Sequence, residues 1–280
     1  MKIAFPIAAI VSLGVSSFGV FAQSATGPKF DVASIKPASP DPVSMYGVRP
    51  LSGGRVSAVN VSLKQLIRSA YNIQSFQLSG GSSWTETDLY NIEASGDSAE
   101  WREMLKSLLA ERFQLVVHRE ERQLPVYALV LAKKDGKLGP EMVEAKEGAC
   151  IARDPSRPIA LPAPGRPGIC GNVLGSMSEL YGNAATVGDL APMLSTLVGR
   201  KVLDRSGLTA KYDIKLTYTL DESQRVSMLP PGTPPSSIPL DTSGPSLFTA
   251  LEEQLGLRLE TQRAPVEVFV IDRAAKPSEN

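Results

Sequence analysis

Two stretches of the chain share one hydrophobic pattern, in which an amphipathic helix leads into alternating segments around a proline. The first runs from Glu103 to Ala132 and the second from Ser246 to Asp272. The apolar positions of the two helical parts match pairwise: Leu105, Leu108, Leu109 and Phe113 with Leu247, Ala250, Leu251 and Leu255. The dipeptide Pro125-Val126 matches Pro265-Val266. Such self-similarity predicts two copies of one folding module.

Each copy is predicted to fold back on itself at its proline. Gln114 to Arg122 and Val126 to Lys133 are predicted strands of the first copy, and Leu257 to Thr261 and Val266 to Asp272 are those of the second. We therefore expect each copy to end in two strands joined by a turn at the proline.

The segments before these helices repeat as well. Ser62 is a predicted N-cap before the amphipathic stretch LKQLIRSAY, and Thr186 occupies the matching place in the second copy. The strand around Tyr90-Asn91-Ile92 corresponds to the one around Tyr212-Asp213-Ile214. The predicted fold class is α+β: two tandem β-α-β-β-α-β modules, each with an optional further strand, and with helices on one face of a mixed sheet. The modules would lie side by side or share one sheet.

The N-terminus resembles a signal peptide. Lys2 precedes an apolar run from Ile3 to Phe21, and Val20-Phe21-Ala22 places small residues where signal peptidase needs them. We expect cleavage after Ala22 and a periplasmic or secreted protein. An uncleaved membrane anchor is the alternative, which Pro6 and the serines and glycines of the run disfavour. No other stretch is apolar enough to span a membrane.

Composition divides the rest of the chain. The predicted parts are a signal peptide (1–22), a first module with an N-terminal strand (23–137), a linker rich in proline and glycine (138–175), and a second module (176–280) with an insertion rich in proline and serine (221–244). Cys150 and Cys170 both lie in the linker, and an exported chain with one such pair predicts a disulfide. The alternative, two ligands of a metal site, is poor because the chain has a single histidine. No metal and no cofactor is predicted.

Charge and motifs exclude several functions. With 29 basic and 29 acidic residues, the chain has no basic field for nucleic acid or anionic lipid. No serine-nucleophile elbow, zinc-protease motif, P-loop or dinucleotide fingerprint is present. His118, the only histidine, lies mid-strand among charged residues and is expected to face solvent.

One acidic cluster keeps an enzymatic alternative open. Glu86, Asp88 and Glu93 lie near Trp84 and Tyr90, and paired carboxylates beside aromatic rings suit a carbohydrate-active hydrolase. A solvated turn next to a strand explains the same residues.

Several blocks identify a family resemblance. They are FDVASIKPA, NVSLKQLIRSAYNI, LLAERFQLVVHRE, DRSGLTAKYD and GPSLFTALEEQLGLRLE, with APVEVFVID and KPSEN near the end. They resemble an exported, paralogue-rich family of soil bacteria, best known from acidobacteria, that is a domain of unknown function. Relatives fused to or near antirepressor-type membrane metallopeptidase sensors imply a role in envelope sensing.

The module also resembles the short N-terminal domain of secretins and TonB-dependent receptors. The segment TALEEQLGL, from Thr249 to Leu257, is similar to the helix-to-strand pattern of that domain, whereas Leu108 to Phe113 lacks its glycine. Those domains bind proteins, so the resemblance implies docking without catalysis.

A non-enzymatic interaction or sensing module of the cell envelope is therefore the leading hypothesis. Val266, Val268 and Val270 are the predicted edge strand that would capture an envelope partner by β-augmentation. A small-ligand sensor with its site in the cleft between the modules is a further alternative.

Overall fold

A computed structural model describes residues 27–38, 46–96, 100–148, 150–152, 168–222, 224 and 244–277 of the chain. The predicted signal peptide and its cleavage site lie outside the described residues. So do positions 153–167 of the predicted linker and 225–243 of the predicted insertion.

The two halves of the chain contain the same elements in nearly the same order. The first half comprises β1 (Val32–Pro37), β2 (Gly47–Pro50), β3 (Val56–Ser62), α1 (Leu63–Tyr71), a 3₁₀ turn (Ser75–Gln77), β4 (Leu78–Gly80), α2 (Trp84–Thr87), β5 (Leu89–Ser95), α3 (Trp101–Arg112) and β6 (Val116–Leu131). The second half comprises β7 (Met142–Glu144), β8 (Asn172–Gly175), β9 (Glu179–Ala185), α4 (Val187–Val198), β10 (Val202–Asp204), β11 (Tyr212–Thr217), α5 (Leu247–Ala250) with a π-helical turn (Leu251–Leu255), and β12 (Leu257–Arg273). The predicted α+β class is confirmed.

These strands form three four-stranded sheets. Sheet A has the order β1-β5-β3-β2 and sheet C the order β7-β11-β9-β8, and both are antiparallel throughout. Sheet B has the order β10-β6-β12-β4 and draws two strands from each half. Its central pair is antiparallel and its outer strands are parallel to their neighbours. Strands β7 and β8 fall within the predicted linker, whereas the predicted domain boundaries themselves stay a prediction.

Sheets A and C correspond residue by residue. The N-caps Ser62 and Thr186 align β3 with β9, and each cap closes a capping box with the residue three positions on. From these caps the registers coincide: Pro50 pairs with Val56, and Gly175 pairs with Leu180. The internal repeat therefore extends to the strand pairing, which lets any position in one sheet be compared with its counterpart in the other.

A matching β-bulge interrupts both sheets. Asn60 and Ala184 have positive φ angles of 50° and 43°. Their backbone N–H groups donate to Oδ1 of Asn91 and Oδ1 of Asp213, each over 2.9 Å. A bulge leaves one residue out of the backbone ladder, so a side-chain acceptor replaces the missing partner. This explains why the sequence repeats a short polar residue after Tyr90 and after Tyr212.

The predicted turns at Pro125 and Pro265 are wrong. Each proline lies inside one long strand, and β6 and β12 pair with each other along nearly their full length. The backbone N–H of Tyr127, two residues after Pro125, points away from β12 and donates to the carbonyl oxygen of Lys201, just before β10. Backbone nitrogens two residues apart in a strand face the same side, so the Pro125 nitrogen also points away from β12, beyond the end of β10. A proline is tolerated in a strand where its nitrogen has no ladder partner.

Each half contributes to the core of the other. The core of the first half includes Ile271 from β12, and the core of the second half includes Leu129 from β6. A small third cluster around Val126, Val266 and Val268 lies on the β6–β12 ribbon. The paired ribbon thus joins both cores into one hydrophobic framework.

Candidate functional site

The strand that was predicted to capture a partner is an edge strand over only part of its length. Strand β12 pairs with β6 on one side and with β4, at Phe269 to Ile271, on the other. Val266 and Val268 are only 5% and 2% exposed, and Val270 is half-buried. The Val266 and Val268 side chains are therefore committed to the fold, and partner capture at Phe269 to Ile271 would require displacing β4 from sheet B.

The predicted acidic cluster is divided among separate contacts. Glu86 forms an ion pair with Lys64 at 3.0 Å, and Asp88 forms one with Lys276 at 2.6 Å. The Glu93 carboxylate accepts a hydrogen bond from Ser57 at 2.5 Å on the outer face of sheet A. Each of the three carboxylates thus has its own local partner.

His118 lies exposed on the ribbon, as expected. Its Nδ1 is 2.8 Å from Oδ1 of Asp272, and its Nε2 is 3.7 Å from the Glu120 carboxylate. The hydrogen bond with Asp272 raises the pKa of His118. Desolvation, the second-largest effect, opposes this shift, and the Asp272 and Glu120 charges add to it. Among the described residues, no serine, threonine or cysteine is hydrogen-bonded to this imidazole, whose nearest polar partners are the Asp272 and Glu120 carboxylates.

The predicted disulfide is confirmed, and it lies beside sheet C. Cys150 and Cys170 are bonded, with their Cα atoms 5.0 Å apart. Next to the bond, the Gly171 N–H donates to the Asn183 carbonyl of β9 at 2.8 Å. Ile151, which follows the first cysteine, is 55% exposed. The crosslink therefore holds an exposed apolar residue beside the β8–β9 edge of this sheet.

The outer face of sheet C carries apolar side chains that face solvent. Val143 on β7 is 56% exposed and Tyr181 on β9 is 39% exposed. Leu174 on β8 pairs directly with Tyr181 and therefore lies on the same face. The opposite face is buried, as Leu180, Ile214 and Leu216 show in the alternating pattern of the strands. The exposed Val143 and Tyr181, together with the half-buried Leu174, form what we call the outer apolar patch.

The corresponding face of sheet A is polar at the positions that match the patch. Ser57 pairs with Glu93 where Tyr181 pairs with Lys215, so Ser57 is the counterpart of Tyr181. By the same registers, Lys36 is the counterpart of Val143 and Arg49 that of Leu174. Two positions depart from this trend among the described residues: Asn183 stands in place of Val59, and Val32 of β1, which is 66% exposed, lies on this face of sheet A. The same scaffold thus presents Lys, Ser and Arg in one copy and Val, Tyr and Leu in the other.

A shallow groove of about 270 Å³ crosses this face of sheet C. Its residues combine two members of the patch, Val143 and Tyr181, with charged groups. The full lining is Pro140, Glu141, Val143, Tyr181, Gly182, Asn183, Asp213, Ile214 and Lys215. A hydrogen bond to the Glu179 carboxylate raises the pKa of Tyr181 above its ordinary value. An apolar centre with charges of both signs at its rim is the usual composition of a protein-binding patch.

A second cavity lies where the two halves meet, in the place where a ligand cleft was predicted. It measures about 220 Å³ and is lined by Phe76, Leu124, Pro125, Arg200, Lys201 and Val266. The Arg200 guanidinium lies 5.5 Å from the ring centroid of Tyr127. Within the described parts of the chain, neither Arg200 nor Lys201 forms a salt bridge.

Metal ligands and membrane spans are both absent from the parts of the chain that the structure describes. Over those ranges, no group of three or more His, Cys, Asp or Glu side chains is arranged to hold a metal ion. In the same ranges, no helix has both the length and the apolar character needed to cross a bilayer.

The sequence did not reveal the outer apolar patch. Val143 and Leu174 lie in the segment that composition marks as a linker, and Tyr181 lies in an ordinary alternating strand. A position-by-position comparison of the two copies would have exposed the exchange. That comparison requires the strand registers, which only the fold provides.

The architecture defines an α+β protein built from two copies that exchange strands through a common ribbon. The chain belongs to the family described as a protein of unknown function (DUF3738), which matches residues 64–274. No curated protein and no solved structure matches the chain.

Proposed function

We propose that this protein is an exported, non-enzymatic interaction module that docks another envelope protein on the outer face of sheet C. The observation that carries the proposal is the exchange of Lys36, Ser57 and Arg49 in one copy for Val143, Tyr181 and Leu174 in the other. Apolar side chains that face solvent on a sheet contribute little to the fold beyond their cross-strand contacts. When an interface buries them, they stabilise the complex.

The site replaces the predicted edge strand β12 but keeps the predicted class of function. An envelope partner would cover the outer apolar patch and use the charged rim for orientation. Tyr181 is its natural anchor, because tyrosine combines a large apolar ring with a hydrogen-bonding hydroxyl and is enriched in binding hot spots. Residues Glu141 and Lys215 at the rim would set orientation and salt dependence more than affinity.

Export is part of the same proposal. The disulfide supports it, because such bonds persist in oxidising compartments and are rare in the cytosol. The N-terminal apolar run with its cleavage site at Ala22 supports it from the sequence. The resemblance to the docking domains of secretins and TonB-dependent receptors, and to acidobacterial envelope proteins, agrees with a role in assembly or sensing at the envelope.

The test is site-specific photocrosslinking in cells that naturally make the protein. A benzophenone amino acid replaces Tyr181 in one variant of the full chain and its counterpart Ser57 in the other. We expect a discrete crosslinked protein from position 181 and none from position 57.

A matched variant separates specific docking from chance proximity. Val143→Lys, Leu174→Arg and Tyr181→Ser together give sheet C the outer face of sheet A. Capture from a crosslinker placed at nearby Asn183 is expected to disappear in this triple variant, with the thermal unfolding curve nearly unchanged. Equal capture at positions 57 and 181, or capture that survives the exchange, would refute docking at this face. A crosslink only between two copies of this chain would refute the envelope partner and assign the face to self-association.

A second candidate function is a small-ligand sensor, favoured by the cavity between the two halves. Its apolar walls and the cations Arg200 and Lys201 suit a ligand with an apolar body and an acidic group. Leu124→Trp would fill this cavity without touching sheet C, so a ligand-induced rise in the unfolding temperature that persists in that variant would argue against the site.

A further inference from the structure

We infer that the first copy contains a binding site for a small aliphatic carboxylate, in a pocket between helix α1 and strand β2 centred on Arg68. The pocket measures about 240 Å³ and lies far along the chain from the outer apolar patch. Its lining residues are Tyr46, Gly47, Val48, Val61, Gln65, Arg68, Ser69 and Ile73. The ligand differs in kind from the docking partner proposed above, and the inference does not depend on it.

Arg68 carries a charge that the described part of the protein leaves without a partner. Its side chain is half-buried, and no acceptor among the described residues hydrogen-bonds to it or forms a salt bridge with it. Burial lowers the pKa of Arg68, while the more distant Glu86 charge opposes this shift. Glu86 itself is engaged by Lys64 at 3.0 Å. A partly desolvated guanidinium without an acceptor is unfavourable, and a bound anion would relieve it.

The other polar groups of the pocket are donors. The Gln65 Oε1 accepts the Ser62 N–H at 2.8 Å in the capping box of α1. That bond fixes the amide orientation and leaves the Gln65 Nε2 group free to donate. Ser69 adds a hydroxyl that has no partner among the described residues. No carboxylate lines the pocket over those residues, so guanidinium, amide and hydroxyl together favour an anion.

The remaining lining residues of the pocket determine which non-polar group the ligand can carry. Val48, Val61 and Ile73 are apolar, and Val61 is fully buried at the base of the helix. A dry cavity of about 150 Å³ is large enough to bind benzene. A cavity of about 240 Å³ therefore accommodates a carboxylate with a chain of a few carbons. The planar fork of arginine matches the two oxygens of a carboxylate.

The second copy shows that the scaffold does not require this pocket. Helices α1 and α4 begin at equivalent caps, so Gln65, Arg68 and Ser69 correspond to Asp189, Pro192 and Met193. The Met193 sulfur lies 3.0 Å from where a Cβ on Gly175 of β8 would stand, so its side chain fills the space between α4 and β8. Asp189 supplies the capping-box acceptor as a carboxylate, which would repel an anion. The first copy thus has a cation, hydrogen-bond donors and an open pocket at the positions where the second copy has Asp189, Pro192 and Met193.

The experiment measures binding of pentanoate to the chain without its predicted signal peptide, residues 23–280, by ligand-observed NMR at constant ionic strength. Pentanol tests whether the charge is needed, and inorganic phosphate tests whether the apolar body is needed. We expect pentanoate to bind and the other two to bind at least about tenfold more weakly, as for the loss of a charge-assisted hydrogen bond or of the apolar contacts.

Variants assign the binding to this pocket. Arg68→Gln removes the charge, and Ser69→Met introduces the side chain that fills the second copy. Each is expected to weaken pentanoate binding at least about tenfold, whereas Arg205→Gln, at an exposed arginine elsewhere, leaves it unchanged. Arg68→Lys retains the charge and serves if the glutamine variant does not fold, with weaker binding expected because lysine lacks the fork.

Three outcomes would overturn the inference. They are no pentanoate binding to the wild-type chain, binding that survives both Arg68→Gln and Ser69→Met, and equal binding of pentanol or phosphate. The triple variant of sheet C should bind pentanoate normally, so a failure of the docking proposal would leave this result intact.

Discussion

Two helix ends provide a test of how the second copy is packed. Gly199 ends α4 and Gly256 ends the α5 segment, and both adopt the left-handed conformation, with φ of 63° and 71° and ψ of 22° in each case. They differ only in their surroundings. A Cβ at Gly199 would meet no atom within 4 Å, whereas a Cβ at Gly256 would lie 2.8 Å from the Gly139 nitrogen and the Lys137 oxygen.

The perturbation is alanine at each of the two glycines. A left-handed backbone conformation costs a non-glycine residue about 1–2 kcal/mol. Alanine offsets about 0.4–1 kcal/mol of this cost, because it lowers the conformational entropy of the unfolded chain relative to glycine. Gly199→Ala is therefore expected to lower the free energy of unfolding by about 1 kcal/mol. Gly256→Ala adds a clash with backbone atoms that cannot rotate away. Overpacking of this kind costs typically another ~1–3 kcal/mol, so we expect a loss of about 2–4 kcal/mol.

The assay is equilibrium unfolding in urea under non-reducing conditions, with the midpoint and slope read for each variant. Gln114 supplies the reverse test, because it corresponds to Gly256 in the first copy and has a φ of 48° on an exposed site. Gln114→Gly should raise the free energy of unfolding by up to about 1 kcal/mol through release of the left-handed strain. Equal losses for the two alanine variants would refute the reasoning, since residues 137–139 would then not pack against the helix end.

Three further predictions follow from single contacts. Asp213→Ala should cost about 1–3 kcal/mol, because it leaves the Ala184 N–H without an acceptor, and Asp213→Asn, which restores the residue type of the first copy, should recover most of it in urea unfolding. His118 should titrate by NMR above its ordinary pKa of about 6.5, and Asp272→Asn should lower that pKa, so an unchanged titration in the variant would contradict the pairing. Because the pKa of His118 is raised in the folded state, its contribution to stability is complete below the unfolded pKa and is lost as pH rises through the folded pKa. Removal of the disulfide, by serine at both cysteines, should lower the free energy of unfolding by roughly 3 kcal/mol, and a stability unaffected by reductant would count against it.

The sequence by itself determined much of the local structure of this protein. Apolar spacing predicted the helices, Ser62 and Thr186 predicted their starts, and the position of the cysteines predicted the disulfide. These features depend on residues close along the chain or on one covalent bond. The internal repeat was also visible, because equivalent helices bury the same pattern of side chains.

Only the tertiary structure decided how the two copies meet and which face is available for binding. Pro125 and Pro265 are compatible with a turn or with an outward-facing place in a long strand, and pairing between the distant strands β6 and β12 selects the strand. The outer apolar patch depends on the pairing of β7 with β11, which lie far apart in sequence, and the Arg68 pocket depends on how α1 packs beside β2. Local alternation shows that a strand has two faces, but it does not show which neighbours flank it or which face remains open to solvent.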